Sequence, residues 1–345
     1  MALRWHRRML TYWLCAGVVV FGHVIPAAAA PVLDRVKAVK ALHCGVLAVP
    51  EDYGKADVHG SLDGLGADLC RAVAAAVAGD GGTVKIQAYP DERHGFDAVA
   101  AGSIDLLFGA SPAASAEIAH GLRFGRPVFF DAEGLLVRRG GGIASFADLA
   151  GKSACFIGGT RAEDVLDSQA SKRGVKVLPF PFEEDGEMNV ALLRNHCDAI
   201  VSSVSRLADT RSGFHGVVDD FVVLPDRLSI EPMAPALPDG DPQWAAVVDA
   251  TMNALLMAEA AGVGRADAAV LRTTEDPLLR VLGGLVPGVD EKVIDRGWAE
   301  RAIAAVGNYG EIYDRDVGPG TAMDLPRGIN ALWTKGGLMV PVAPR

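Results

Sequence analysis

Two stretches of the sequence put chemically useful residue types where binding sites are usually built. In "IGGTRAED" an apolar run ends, Gly158 and Gly159 turn the chain, and Thr160 and Arg161 open a helix. Unsatisfied N–H groups and the helix dipole at such a start favour an anion. The plainer reading is N-capping by Thr160 with Arg161 in solvent. In "DLLFGASPAASAEIAHGLR" an apolar strand from Asp105 runs into small residues that include Ser111, and Glu117 stands before Arg123. Tyr53, after the first strand-like run, is placed either to cover a ligand with its ring or to pack on its own lobe.

Catalytic signatures are poor. "LAGKSAC" contains Gly-Lys-Ser, but a phosphate loop needs a glycine five residues before Gly151, where Phe146 stands. No G-x-S-x-G elbow and no H-E-x-x-H occurs. "FEEDGE" reads as a solvated helix start, and the absence of C-x-x-C together with scattered histidines points away from a metal. Neither an enzyme nor a cofactor is expected. The formal net charge of −10 argues against nucleic acid as a partner.

The elements that must hold these residues alternate. "HCGVLAV", "TVKIQAY" and "IDLLFGA" read as strands and "LGADLCRAVAAAVAG" as a helix closed by glycine. Strands alternating with helices imply an α/β fold with a parallel sheet, whose ligands sit beyond the carboxyl ends of the strands. After "EGLLVRRGGG" the rhythm restarts through "SACFIGGT", "VKVLPFPF" and "CDAIVSS". This predicts a second lobe over 140–222 inserted into a first lobe of 30–139 and 223–345, whose end is a helical extension. Two crossings between lobes make a hinged clamp.

The first 29 residues have the three parts of a cleaved secretory signal: arginines in "MALRWHRR", the apolar "MLTYWLCAGVVVFGHVI" and the small residues of "PAAAA". The mature chain is expected to be soluble, periplasmic and monomeric. Four cysteines follow the signal: Cys44, Cys70, Cys155 and Cys197. An even count in an exported chain suggests disulfides, and sequence alone leaves three pairings open.

The segments "LDRVKAVKALHCGV", "DLCRAVAAAVAGD", "CDAIVSS", "AVGNYGEIYDRDVGPG" and "RGINALWTKGGLMVP" carry a resemblance to the periplasmic solute-binding proteins of ABC amino-acid uptake systems, from Val32 to the C-terminus. The branch it most resembles binds general L-amino acids. The resemblance implies a two-lobe clamp that takes a solute in the interlobe cleft and hands it to an ABC permease. It also implies the pairings Cys44 with Cys70 and Cys155 with Cys197.

The same resemblance locates losses. In that family an arginine after the "DLL"-type strand forks onto the solute's α-carboxylate, as its planar donors suit. Aligned without gaps, that arginine falls at Glu117, the family's pocket tryptophan at Ala113, and only Ser111 keeps a hydroxyl. The aspartate that receives the α-ammonium falls at Ser203, and another family aspartate at Gly66. A buried charge without a partner costs several kcal/mol, so a zwitterion loses both anchors. The expectation is a receptor with a pocket retuned toward a small polar or anionic solute, touched by Tyr53, Ser111, Thr160, Arg161 and Ser203. The alternative is a periplasmic accessory protein, such as a dehydrogenase partner, that keeps the clamp without its ligand.

Overall fold

The strand Ala41–Leu47 is apolar at nearly every position, which suits a strand covered on both faces. It lies between two parallel neighbours, Thr83–Tyr89 and Leu106–Ala110. Gly45 lets the side chains above it pack close: a β-carbon there would stand 2.5 Å from Ile104 Cδ1 and force it to shift. Glu231–Pro238 joins Leu106–Ala110 antiparallel, and Leu122–Phe124 and Phe129–Asp131 both pair with Glu231–Pro238. The computed structural model describes residues 31–47, 55–56, 62–79, 81–284 and 294–342. Tyr53 and the expected signal at 1–29 lie outside the described residues.

A second sheet runs in the order Leu178–Phe182, Ser153–Ile157, Ala199–Ser203, Glu133–Arg138, Phe221–Val223. Its first three strands are parallel, and the last two pair antiparallel. Pro179 and Pro181 sit on the outer strand, the place where a missing N–H does least harm to a ladder. The two sheets, each flanked by helices, form the two-lobe α/β clamp.

The chain leaves the first sheet at Asp131 and enters the second at Glu133. It returns between Val223 and Glu231. The second sheet therefore begins before the Gly140 boundary expected from the sequence. Gly140 and Gly142, both at positive φ, make a turn after the strand inside the second lobe, and glycine serves that turn rather than a hinge. The outgoing Phe129–Asp131 and the returning Glu231–Pro238 pair antiparallel, so the crossings lie side by side.

The C-terminal helices complete the first lobe. Pro242–Ala261 starts with Asp241 accepting from Trp244 N–H and Pro242 at its first position, and ends at Gly262 in the left-handed region. Trp298–Val306 packs on the alanine-rich Leu65–Ala78, which explains why that helix is buried on most of its faces. Arg301 donates to the carbonyls of Ala75 and Ala76, satisfying the C-terminus of Leu65–Ala78 with a cation where the helix dipole is negative. The tail is tied back by Asn253, which donates to Val342 O and accepts from Val342 N–H, both at 2.7 Å. Cys44–Cys70 staples the strand Ala41–Leu47 to Leu65–Ala78, and Cys155–Cys197 staples the second lobe. These are the pairings the family resemblance implied.

Candidate functional site

The two crossings set the geometry of the cleft through strand register. Asp131 faces Glu231 as a pairing partner, and Glu133 faces Ser203. Ser203 precedes the helix Val204–Ser212 as its N-cap, its Oγ accepting from Arg206 N–H at 3.4 Å. Asp131 is buried and holds the start of the same helix: Oδ1 accepts from Ser205 N–H at 3.3 Å and Oδ2 from the Ser205 hydroxyl.

From the first lobe, Ser111 reaches the crossing directly. Its N–H donates to Glu92 Oε1 at 2.7 Å, and its hydroxyl donates to Glu231 Oε1 at 2.8 Å. From the second lobe, Arg161 Nη1 stands 3.4 Å from the same Glu231 oxygen. Glu231 thus brings Ser111 and Arg161 together. Thr160 and Ser203 are turned to local duties. The Thr160 hydroxyl donates to Ile157 O at 2.6 Å rather than capping its helix, and Glu163 Oε2 accepts the Gly159 N–H at 2.7 Å. The helix start read as an anion site therefore carries its own carboxylate.

The charges around these contacts are mainly negative. Glu133 is only 5% exposed, its Oε2 has no hydrogen-bond partner, and among the described residues its side chain makes no ion pair. Burial, with Asp131 and Glu231 adding to it, raises its carboxyl to about 7, against the pull of Arg161 and Arg206. Burial also raises Asp131, although the Ser205 hydrogen bonds oppose it. Glu92 is raised by burial, with the Ser111 N–H opposing and Glu231 adding. On the cationic side, Arg161 is engaged with Glu231 and Arg206 donates to Asp185 Oδ2 at 2.9 Å. Such a site can hold a positively charged or hydrogen-bond-donating group.

The other positions singled out by the family pattern stand apart from these contacts. Glu117 is exposed on the short helix Ala114–His120, and Ala113 is the residue before that helix. Gly66 is buried in the first turn of Leu65–Ala78. Arg123, which follows Glu117 in the sequence and is not part of the family pattern, lies on Leu122–Phe124, where its charge acts on the half-buried Asp249 of the helix Pro242–Ala261. Glu92, Asp131, Glu133 and Glu231 were missed by sequence reasoning. A signal existed in "VFFDAEGLLV": two acids inside an apolar run need a reason to be there.

No protein-family model matches the chain. It is 32% identical over 339 residues to the general L-amino acid-binding periplasmic protein AapJ of Rhizobium johnstonii, covering 96% of this chain and 97% of that one. The chain belongs to the periplasmic solute-binding proteins of amino-acid ABC systems. Within this family it is also 34% identical over 319 residues to the glutamate/glutamine/aspartate/asparagine-binding protein BztA of Rhodobacter capsulatus, covering 92% and 94%. A solved member, an ABC transporter periplasmic binding protein from Brucella ovis with glutathione bound, superposes with a TM-score of 0.75 at 32% identity, covering 92% of this chain and all of that one. These family members are binding proteins, not enzymes.

Proposed function

We propose that the chain is a solute receptor of an amino-acid-type ABC uptake system, exported to the periplasm by a signal at 1–29 that is then cleaved. It binds a small polar solute between its lobes, hands it to an inner-membrane permease, and works as a monomer. Its cleft has diverged from the zwitterion pattern at Ser203, and in the gapless alignment Glu117 takes the place of the family's carboxylate-binding arginine. The observation that carries this reading is Glu231, whose one oxygen meets first-lobe Ser111 and second-lobe Arg161, so residues of both lobes converge where a clamped solute would lie.

The ligands named for the relatives, amino acids for AapJ and BztA and glutathione for the Brucella ovis protein, all offer an ammonium group. That is the group a carboxylate-lined cleft can receive. Arg161, shared with Glu231, speaks against an anion as the preferred ligand.

Thermal unfolding of the mature, oxidised protein against amino acids, small amines, dicarboxylates, sugars and glutathione tests the reading. A solute that binds only the folded clamp adds about 2.7 kcal/mol at a hundred times its Kd. A raised midpoint with a member of this panel supports a receptor. Silence across the panel rejects it in favour of the accessory-protein reading, which the substitutions at Glu117 and Ser203 would then explain.

A further inference from the structure

The position expected to carry the ammonium-binding aspartate holds Ser203, and Ser203 is occupied with capping its helix. The residue paired with it across the ladder, on the neighbouring strand, is Glu133. A carboxylate thus stands one strand away from where the family pattern puts one.

Glu133 differs from the other acids of the cleft. Asp131 accepts two hydrogen bonds from Ser205, Glu92 accepts one from Ser111, and Glu231 accepts from Ser111 and faces Arg161. Glu133 is 95% buried by its 5% exposure, and its Oε2 is without a partner. A buried carboxylate left so is costly unless something else supplies the counter-charge. Its backbone N–H is satisfied by Ser229 Oγ at 2.9 Å, so the need belongs to the side chain alone. The charges that act on it come from every side of the cleft: Asp131 at the crossing, Glu231 on the returning strand, and Arg161 and Arg206 on the second lobe. Both arginines already face carboxylates, Glu231 and Asp185.

We propose that Glu133 receives the cationic nitrogen of the solute, an ammonium or guanidinium group, in place of the acid missing at Ser203, and that the cleft prefers net-cationic amines to zwitterions and anions. The proposal rests on the receptor reading and deepens it. A guanidinium or ammonium supplies the donors and the charge that Glu133 lacks. With Arg161 and Arg206 both already facing carboxylates, a solute's own carboxylate gains less than its nitrogen does.

Calorimetric titration of the mature protein with agmatine, putrescine, L-glutamine and succinate at pH 8 tests it. Agmatine or putrescine is expected to bind most tightly, and Glu133→Gln to weaken that binding about ten- to a hundred-fold, the loss expected for a charge-assisted hydrogen bond. Binding of the same amine to the unaltered protein should also weaken as pH falls from 8 to 5 and Glu133 takes up a proton, a readout that needs no variant. Preferred binding of glutamine or succinate, or amine binding indifferent to both Glu133→Gln and pH, overturns the assignment while leaving the receptor reading intact. Failure of all four probes overturns the assignment, and with the wider unfolding panel also silent it overturns the receptor reading as well.

Discussion

Residue identity decides the chemistry of the cleft, and Glu133 shows how. Its carboxyl is raised from an ordinary 4.5 to about 7, chiefly by burial. A group whose folded value lies above its unfolded one contributes stability fully below the unfolded value and loses it as pH rises through the folded value. The fold is therefore expected to weaken between about pH 4.5 and 7, and a second acid adds to this. Asp316 is also raised to about 7, by burial first and then Asp68, against Arg315 and Arg71, with Asp63 adding a smaller push upward. Denaturant unfolding at pH 5 and pH 8 checks the sign. Glu133→Gln and Asp316→Asn should each stabilise at pH 8, on the order of 1 to 3 kcal/mol, and do little at pH 5. Equal effects at both pH values would count against the raised values. None of this was legible in composition, because an acid between Ala132 and Gly134 reads as exposed until the strand on either side of it is known to be buried.

At the scale of elements, much was legible. Ala41–Leu47, Leu106–Ala110, Ser153–Ile157 and Ala199–Ser203 form over the apolar runs that read as strands. The helix at Arg161 and the one at Asp185 begin where Gly-Gly-Thr and the acid run placed them. The exact crossing was not, because the glycines after "EGLLVRR" are stronger punctuation than the short Asp131–Glu133 passage that performs it. Element contacts also predict two stability effects. Cys155–Cys197 spans 42 residues, so Cys155→Ser combined with Cys197→Ser should cost about 4 kcal/mol in the chain-entropy account, measured by denaturant unfolding of the oxidised protein. Arg301→Ala removes the cation that holds the Ala75 and Ala76 carbonyls, and should cost about 1 to 2 kcal/mol without altering ligand affinity. An Arg301→Ala protein as stable as the original would show that the contact is idle.

From Pro31 on, the chain forms a clamp whose two crossings between the lobes run side by side through Phe129–Asp131 and Glu231–Pro238. Its plan could be read from the restart of the strand–helix rhythm and from family segments that continue to the last helices, since both follow from long stretches of chain. The cleft charges could not, since they depend on pairings between residues 100 or more apart, such as Asp131 with Glu231. Arg161 read as an anion anchor because its helix start was visible in the sequence and the opposing Glu231 was not. A receptor must hold a small solute once it is exported. Native mass spectrometry of the protein recovered from the periplasm, with and without added agmatine or L-glutamine, asks this in one spectrum. A receptor is expected to give a mass lacking the first 29 residues, with both disulfides formed, and a stoichiometric small-molecule adduct that disappears on unfolding. An unprocessed chain, or a mature chain that carries no adduct and gains none from the added solutes, would contradict the receptor reading.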